Sequence, residues 1–454
     1  MKNFIITLIA LMLSVNIASA KHFSSVMDKA FLDTNISKSA VSISIQNIDK
    51  PRKIYKWNYE IPMMPASTQK IITATPSIQV LGKDYNFSTK LYKVKNKQEY
   101  YLVLGADPYL TSKDLKLLFK NIEVPKDKTI SKFYIDDSIF DRVEWGEGWQ
   151  WDDDVNPLIP KFSAYNLDKN LIKLTLTPMV NQPPMIESNV FYPAVYMNYV
   201  KNGTVNNITV SRKNYISPNT LTFEGEIVSQ TKISVPINDM EQYFKLRVKD
   251  AFKADKIHYY DNIISKNLPS SNVDLIGEIT HSIDSAIYDI YENSNNLVAE
   301  TVFKLAGAKY TNSQGNFYHS YKLFEDFCFS NVVDLSNVKL VDGSGVSKNN
   351  LITTKFMTDY LIQLAKIYGY ENITSLLATP NNENGTLKNR MLFLENKLYA
   401  KTGTLTNVSG LSGYIETRKG NKYAFSILIN DAKSTNLQKK SFEEVLMREV
   451  YRNL

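Results

Sequence analysis

Three short strings place reactive residue types at useful spacings: Ser67-Thr68-Gln69-Lys70, Ser294-Asn295-Asn296 and Lys401-Thr402-Gly403, in that order. A serine hydroxyl is a poor nucleophile at neutral pH and needs an adjacent base. If the first string is helical, Lys70 lies one turn from Ser67 on the same face. It can serve as that base where burial and nearby positive charge favour its neutral form, and Lys401 is the obvious source of that charge. Ser294 would stand between the two lysines as a proton relay toward a leaving amine. The Asn296 amide both donates and accepts, so it can hold Lys70 and a substrate amide in register. A helix start at Ser67 aims backbone N–H groups at the reacting centre. With a second N–H expected from Thr404, the Ser67 N–H would form an oxyanion hole, in which one donor supplies about 3 kcal/mol. Gly403 leaves room for substrate along a strand edge. Lys401, Thr402 and Thr404 make a cationic, hydroxyl-rich cleft suited to a carboxylate. The chemistry implied is acyl transfer through a serine ester, on a peptide with a free C-terminal carboxylate.

Each string alone has a plain structural reading. Ser67 could be a helix cap and Lys70 a solvated helix residue. The second string could be a polar helix break, and the third a strand-edge turn. Their joint occurrence in this order is what favours acyl transfer.

The elements that must position these residues follow from periodicity. Residues 40–47 (AVSISIQN) alternate apolar and polar, as a strand does. A helix is expected from Ser67 to a stop at Gly82. Between 86 and 237 come short β-like runs with turn residues between them, and none of the three strings falls there. Helical patterns return with MEQYFKLRVKDAFKA and with a long run beginning VDLIGEITHSIDSAIYDIY, which ENSNN interrupts. VDGSGV at 341–346 is a Gly-rich turn, and TTKFMTDYLIQLAKIYG a further helix. Two strands, KLYAKTGTL and LSGYIETRKGNKYAFSILIN, flank a turn before a last helix at SFEEVLMREVYRNL.

The bulk numbers narrow the setting. Lys2, the apolar run FIITLIALMLSV and Ala18-Ser19-Ala20 read as a secretory signal peptide over 1–20, too short to span a bilayer. A periplasmic protein with no stable transmembrane anchor is therefore expected. The formal net charge of +7 is spread among interspersed acids, and without a basic stripe nucleic acid is not an expected partner. Cys328 is the only cysteine, so no disulfide forms within the chain. Its apolar surroundings read as those of a buried small hydrophobe. The four histidines (His22, His258, His281 and His319) show no metal-ligand spacing, and no cofactor fingerprint is present. At 454 residues, two or three domains are expected, or one with insertions.

The segments PASTQK, LVLGADPYLTSKDL, YIDDSIF, GEGWQWDDD, FSAYNLDKN, SNNLVAE, VDGSGVSKNNL, NGTLKNR and YAKTGTLTNVSGLSGY resemble those of the class C low-molecular-mass penicillin-binding proteins. This is the D-alanyl-D-alanine carboxypeptidase/endopeptidase family often called penicillin-binding protein 4. The resemblance runs from Pro65 to Tyr414 and covers almost all of the chain after the signal segment. It implies an α/β fold in which a transpeptidase/β-lactamase-like domain, an antiparallel sheet flanked by helices, is made from 21–85 and 238–454. A β-rich inserted module of one or two small domains (86–237) would interrupt it, and the long separation of Ser67 from Ser294 agrees. By the same match Ser67 is the nucleophile and Lys70 the base. Ser294 and Asn296 form a second wall, and Lys401, Thr402, Gly403 and Thr404 the strand-side wall. Asp136, Phe140 and Lys348 fall where the family lines a pocket for the substrate's diamino acid, and Thr406 at another variable pocket position.

Asn295 stands where Asp is common, and Lys348 where Arg is frequent; a lysine cannot make the same bidentate pair. The deacylating glutamate of class A β-lactamases has no counterpart, so slow-turnover acylation by β-lactams is expected rather than efficient hydrolysis. The leading expectation is a serine DD-peptidase acting on peptidoglycan stem peptides, as carboxypeptidase, endopeptidase or both. Two alternatives stand beside it: a serine β-lactamase or esterase, and a non-catalytic cell-wall-binding protein on the same fold. Homo-oligomerisation is left open.

Overall fold

The computed structural model describes residues 27–50, 53–123, 129–212, 219–259 and 262–454. The expected signal segment 1–20 and His22 lie outside the described residues. The chain divides into two compact units. The first comprises the described part of Met1–Pro76 with Ile287–Ser294 and Lys322–Leu454; the second comprises Ser77–Ala286 and Asn295–Tyr321.

The first unit is built on the alternating segment. Strand β1 (Val41–Asn47) lies inside a five-stranded antiparallel sheet with β2 (Lys53–Trp57), β3 (Leu398–Leu405), β4 (Val408–Glu416) and β5 (Lys422–Asn430), in the order β3-β4-β5-β1-β2. Strand side chains alternate between faces, yet both faces of β1 are buried. Val41, Ile43 and Ile45 enter an apolar cluster with Phe442, Leu446, Met447 and Val450, from the C-terminal helix Asn436–Asn453. On the other face, the Ser42 and Ser44 hydroxyls lie 2.8 Å from those of Thr354 and Thr358. These belong to the helix Thr354–Tyr368, whose N-cap Thr353 accepts from the Phe356 N–H. The polar half of the alternation is thus matched hydroxyl to hydroxyl, which lets a helix cover a face that would otherwise need water.

The first string opens as a 3-10 turn, Ala66–Gln69, and continues into α1 (Lys70–Leu81), ended by Gly82 at φ 86°. Tyr360 on the Thr354–Tyr368 helix donates to the Ile72 carbonyl of α1 at 3.0 Å. The final apolar run is two strands rather than one, reversing between β4 and β5 at Gly420, φ 79°.

The second unit holds a five-stranded mixed sheet ordered Ile264–Ser265, Lys132–Asp136, Glu99–Val103, Asn86–Val94, Val273–Ser282, and two three-stranded sheets drawn from residues 171–236. One expectation is overturned here. Residues 273–282 do not open a long helix; they form a strand paired antiparallel with Asn86–Val94. The run VDLIGEITHS is rich in β-branched residues (Val273, Ile276, Ile279 and Thr280), which suit a strand, and it is half exposed along its length. The helix begins only at Ile283 and stops at Tyr291; a second runs Asn296–Thr311. Among the described residues, no helix is long and apolar enough to cross a membrane. Cys328 is fully buried, and burial pushes its thiol up to about 12.

A buried carboxylate ties the C-terminal helix both to Arg390, in the loop before β3, and to the sheet. Glu443, fully buried, accepts from Arg390 at 2.9 Å and from the Ser409 hydroxyl of β4 at 2.6 Å. Removing one partner of such a pair strands the other charge. Arg390→Ala is expected to lower unfolding stability by about 3–5 kcal/mol, read as a shift in the urea midpoint.

Candidate active site

Ser67 owes its position to a tight turn. Ala66 takes φ 48°, and the Pro65 carbonyl accepts from the Thr68 N–H at 3.3 Å and its hydroxyl at 2.7 Å. The turn lies against β3. A Cβ on Gly403 would stand 2.9 Å from the Pro65 carbonyl oxygen and 3.0 Å from the Ser67 nitrogen. Gly403 pairs across the ladder with Gly410, where a Cβ would meet Thr68 at 3.1 Å. Two facing glycines therefore let the strands approach the serine turn more closely than side chains would allow.

Ser67 is partly exposed, whereas Lys70 is fully buried. The Lys70 Nζ donates to Ser67 Oγ at 2.9 Å and to the Ser344 carbonyl at 2.8 Å. That carbonyl is presented by the Gly-rich turn at 341–346, which the Asp342 carboxylate organises. One oxygen of Asp342 accepts from the Gly345 N–H and the Gln69 and Asn350 amides, and the other accepts from the Ser347 N–H. The neighbouring Gly343 carbonyl accepts from Thr73 Oγ1 at 2.6 Å. Gly345 sits at φ 82°, and a Cβ on it would lie 2.1 Å from the Ala66 carbonyl oxygen.

Lys401 projects from β3 and is fully buried; its Nζ donates to the Thr402 carbonyl at 3.0 Å. Burial, with the Lys70 charge adding to it, drives the Lys401 ammonium well below the ordinary lysine range, and Glu292 pulls in the opposite direction. Two buried amines within electrostatic reach cannot both hold a proton cheaply, so they titrate as a pair. Thr402 is nearly buried and Thr404 exposed. Because β3 is an edge strand of its sheet, an extended peptide can add along it.

The geometry thus joins Ser67 and Lys70 directly, with Lys401 coupled to Lys70 by charge. Ser294 takes a left-handed conformation, φ 59°, at the end of the segment leading from the Ile283–Tyr291 helix. Asn295 caps the following helix, accepting from the Val298 N–H at 3.2 Å. That role suits Asn as well as Asp, which accounts for the departure at this position. Lys348 is exposed, just past the turn held by Asp342. Thr406 follows directly on β3.

Three of the expected site residues belong to the second unit. Asn296 donates to the Leu158 carbonyl at 2.8 Å. Asp136 is nearly buried and already accepts from Ser138 N–H and hydroxyl and from Leu268 N–H. Phe140 is buried beneath Lys304, whose Nζ lies 4.8 Å from the ring centre.

Sequence reasoning missed three contributors. Ser344 acts through a backbone carbonyl, so its side chain gives no signal. Asp342 was visible only as part of a Gly-rich turn. Glu292, nearly buried two residues before Ser294, has its carboxyl raised by burial; the Asn382 amide, at 2.8 Å from Oε1, and the Lys401 charge partly offset that. Among the described residues, no group of three or more His, Cys, Asp or Glu could hold a metal ion.

The D-Ala-D-Ala carboxypeptidase 3 (S13) family model matches residues 23–449. The D-alanyl-D-alanine carboxypeptidase DacB of Haemophilus influenzae is 24% identical over 441 residues, 91% of this chain and 91% of that protein. The crystal structure of penicillin binding protein 4 from H. influenzae superposes with TM-score 0.81 at 22% identity, covering 91% of this chain and 96% of that one. A second structure of it, complexed with a novel β-lactam, gives TM-score 0.76 at 20% identity over 94% and 99% of the two chains. These structural likenesses establish the fold.

Gly345→Ala should cost about 1–3 kcal/mol for the left-handed backbone alone. By pushing the turn off Ala66, it should also slow covalent labelling of Ser67 by a β-lactam at least tenfold. Thermal unfolding and a labelling time course check the two effects.

Proposed function

This chain belongs to the D-Ala-D-Ala carboxypeptidase 3 (S13) family, and from that membership we propose that Ser67 is the nucleophile of a serine DD-peptidase acting on peptidoglycan stem peptides. The observation that carries the proposal is the 2.9 Å contact between the Lys70 amine and the Ser67 hydroxyl, in a place where the amine is fully buried.

The reaction follows from the residues in hand. Ser67 Oγ attacks the carbonyl of the D-alanyl-D-alanine peptide bond as its proton passes to an uncharged Lys70 Nζ. The oxyanion that forms is received by the Ser67 and Thr404 N–H groups. Lys401, Thr402 and Thr404 hold the terminal carboxylate, placing the substrate along the edge of β3. When the tetrahedral intermediate collapses, the C–N bond breaks, and the departing amine takes a proton from Lys70, relayed by Ser294. Water then cleaves the Ser67 ester, with Lys70 again taking the proton. Asn296 is assigned to the substrate amide. Lys348 is assigned to the diamino-acid end of the stem peptide as an exposed cation, and Asp136 and Phe140 are assigned to that end by the family resemblance alone.

The same chemistry describes trimming of a terminal D-alanine and cutting of a peptide cross-link, and both are included in the proposal. It also describes acylation by β-lactams, which present a strained amide and a carboxylate to the same groups. The H. influenzae relative has been solved with such a compound. The expected setting is the periplasm, reached with the signal segment over residues 1–20.

Ser67→Ala is expected to abolish both covalent labelling by a fluorescent β-lactam and D-alanine release from a pentapeptide. Lys70→Ala is expected to lower both by about 10²–10⁴-fold. Mass spectrometry of intact protein and of stem-peptide products checks this; undiminished labelling of the Ser67→Ala protein would contradict it.

A further inference from the structure

Residues 378–386 connect two places that the three strings do not mention. The Ala400 N–H donates to the Ala378 carbonyl at 2.8 Å, so the segment starts beside the residue preceding Lys401. It then reaches Glu292. The Asn382 amide donates to Glu292 Oε1 at 2.8 Å, and the Thr386 N–H donates to the Glu292 carbonyl at 3.1 Å. Gly385, at φ 100°, brings the backbone onto the carboxylate, where a Cβ would lie 2.3 Å from Oε2. Glu292 is 8% exposed, and among the described residues its Oε2 has no hydrogen-bond partner.

A carboxylate buried this far and bonded through one oxygen needs a compensating cation. Among the described residues, the charged group acting on Glu292 is Lys401. Those acting on Lys401 are Lys70 from α1 and Glu292 from the segment after the Ile283–Tyr291 helix. Charge thus links three buried groups: an amine that must be neutral to receive the Ser67 proton, an amine that must be charged to hold a carboxylate, and an anion acting on the second.

We propose that Glu292, held by Asn382 and covered by Gly385, is a positioning residue that directs the positive charge of the amine pair to Lys401 and leaves the free electron pair on Lys70. This rests on the reading of Ser67 as the acylated nucleophile. Glu292 touches neither Ser67 nor the substrate in this role; it decides which amine keeps the proton.

The test is the pH profile of Ser67 acylation by a fluorescent β-lactam, for the wild type, Glu292→Gln, Glu292→Asp and Asn382→Ala. Glu292→Gln keeps the shape of the side chain and an acceptor for Asn382 but loses the charge. It is expected to lower the plateau and move the alkaline limb down by about one unit, a tenfold loss on that limb. Glu292→Asp should restore most of the limb. Asn382→Ala, which frees the carboxylate without removing it, should shift the limb less in the same direction, and it decides the matter if the Gln protein does not fold. An alkaline limb that stays in place in these variants overturns the proposal, even if the plateau falls. A wild type that takes no label at Ser67 overturns the reading beneath it, and the proposal with it.

Discussion

The constraint on which the rest of the site depends is the burial of two lysine amines within electrostatic reach of each other. A lone ammonium removed from water costs several kcal/mol after relaxation, and a like charge beside it adds to that. Lys70 and Lys401 are both fully buried. A pair so placed carries fewer protons than two surface lysines would. In the proposed reaction that deficit is the catalytic resource, because an uncharged amine 2.9 Å from Ser67 Oγ is the acceptor the hydroxyl would require.

Much of the surrounding structure holds this unfavourable arrangement in place. The Asp342 carboxylate gathers donors from Gln69, Gly345, Ser347 and Asn350. The turn it stabilises offers the Ser344 carbonyl to Lys70. Facing glycines at 403 and 410 let β3 and β4 rest on the serine turn. Behind them, β1 is clamped between the C-terminal apolar cluster and the hydroxyl pairs to Thr354 and Thr358. A strained, charge-poor centre persists because its neighbours over-determine it.

How much of this was legible in the sequence depended on whether side chains or backbone carried the information. The contact between Ser67 and Lys70 was legible, since the two differ by one helical turn. So were the strand 41–47, the helix stop at Gly82 and the interruption at ENSNN. The buried serines of β1 were not, because alternation looks the same whether the polar side meets water or a row of threonines. Residues 273–282 were misread as helix because Val273, Ile276 and Ile279 recur three apart and run on into the true helix at Ile283, and only pairing with Asn86–Val94 shows a strand. The Ser344 carbonyl leaves no side-chain signature. Glu292 stood two residues from a recognised string, but its partners Asn382 and Gly385 come from a distant loop, so nothing local marked it.

The most direct measurement is an NMR titration of the lysine side chains with ¹³C-labelled Cε, with the two buried residues assigned from Lys70→Arg and Lys401→Arg. At least one of these two resonances should titrate well below the ordinary lysine range. Two resonances that both titrate where surface lysines do would contradict the claim that the amine pair is short of protons.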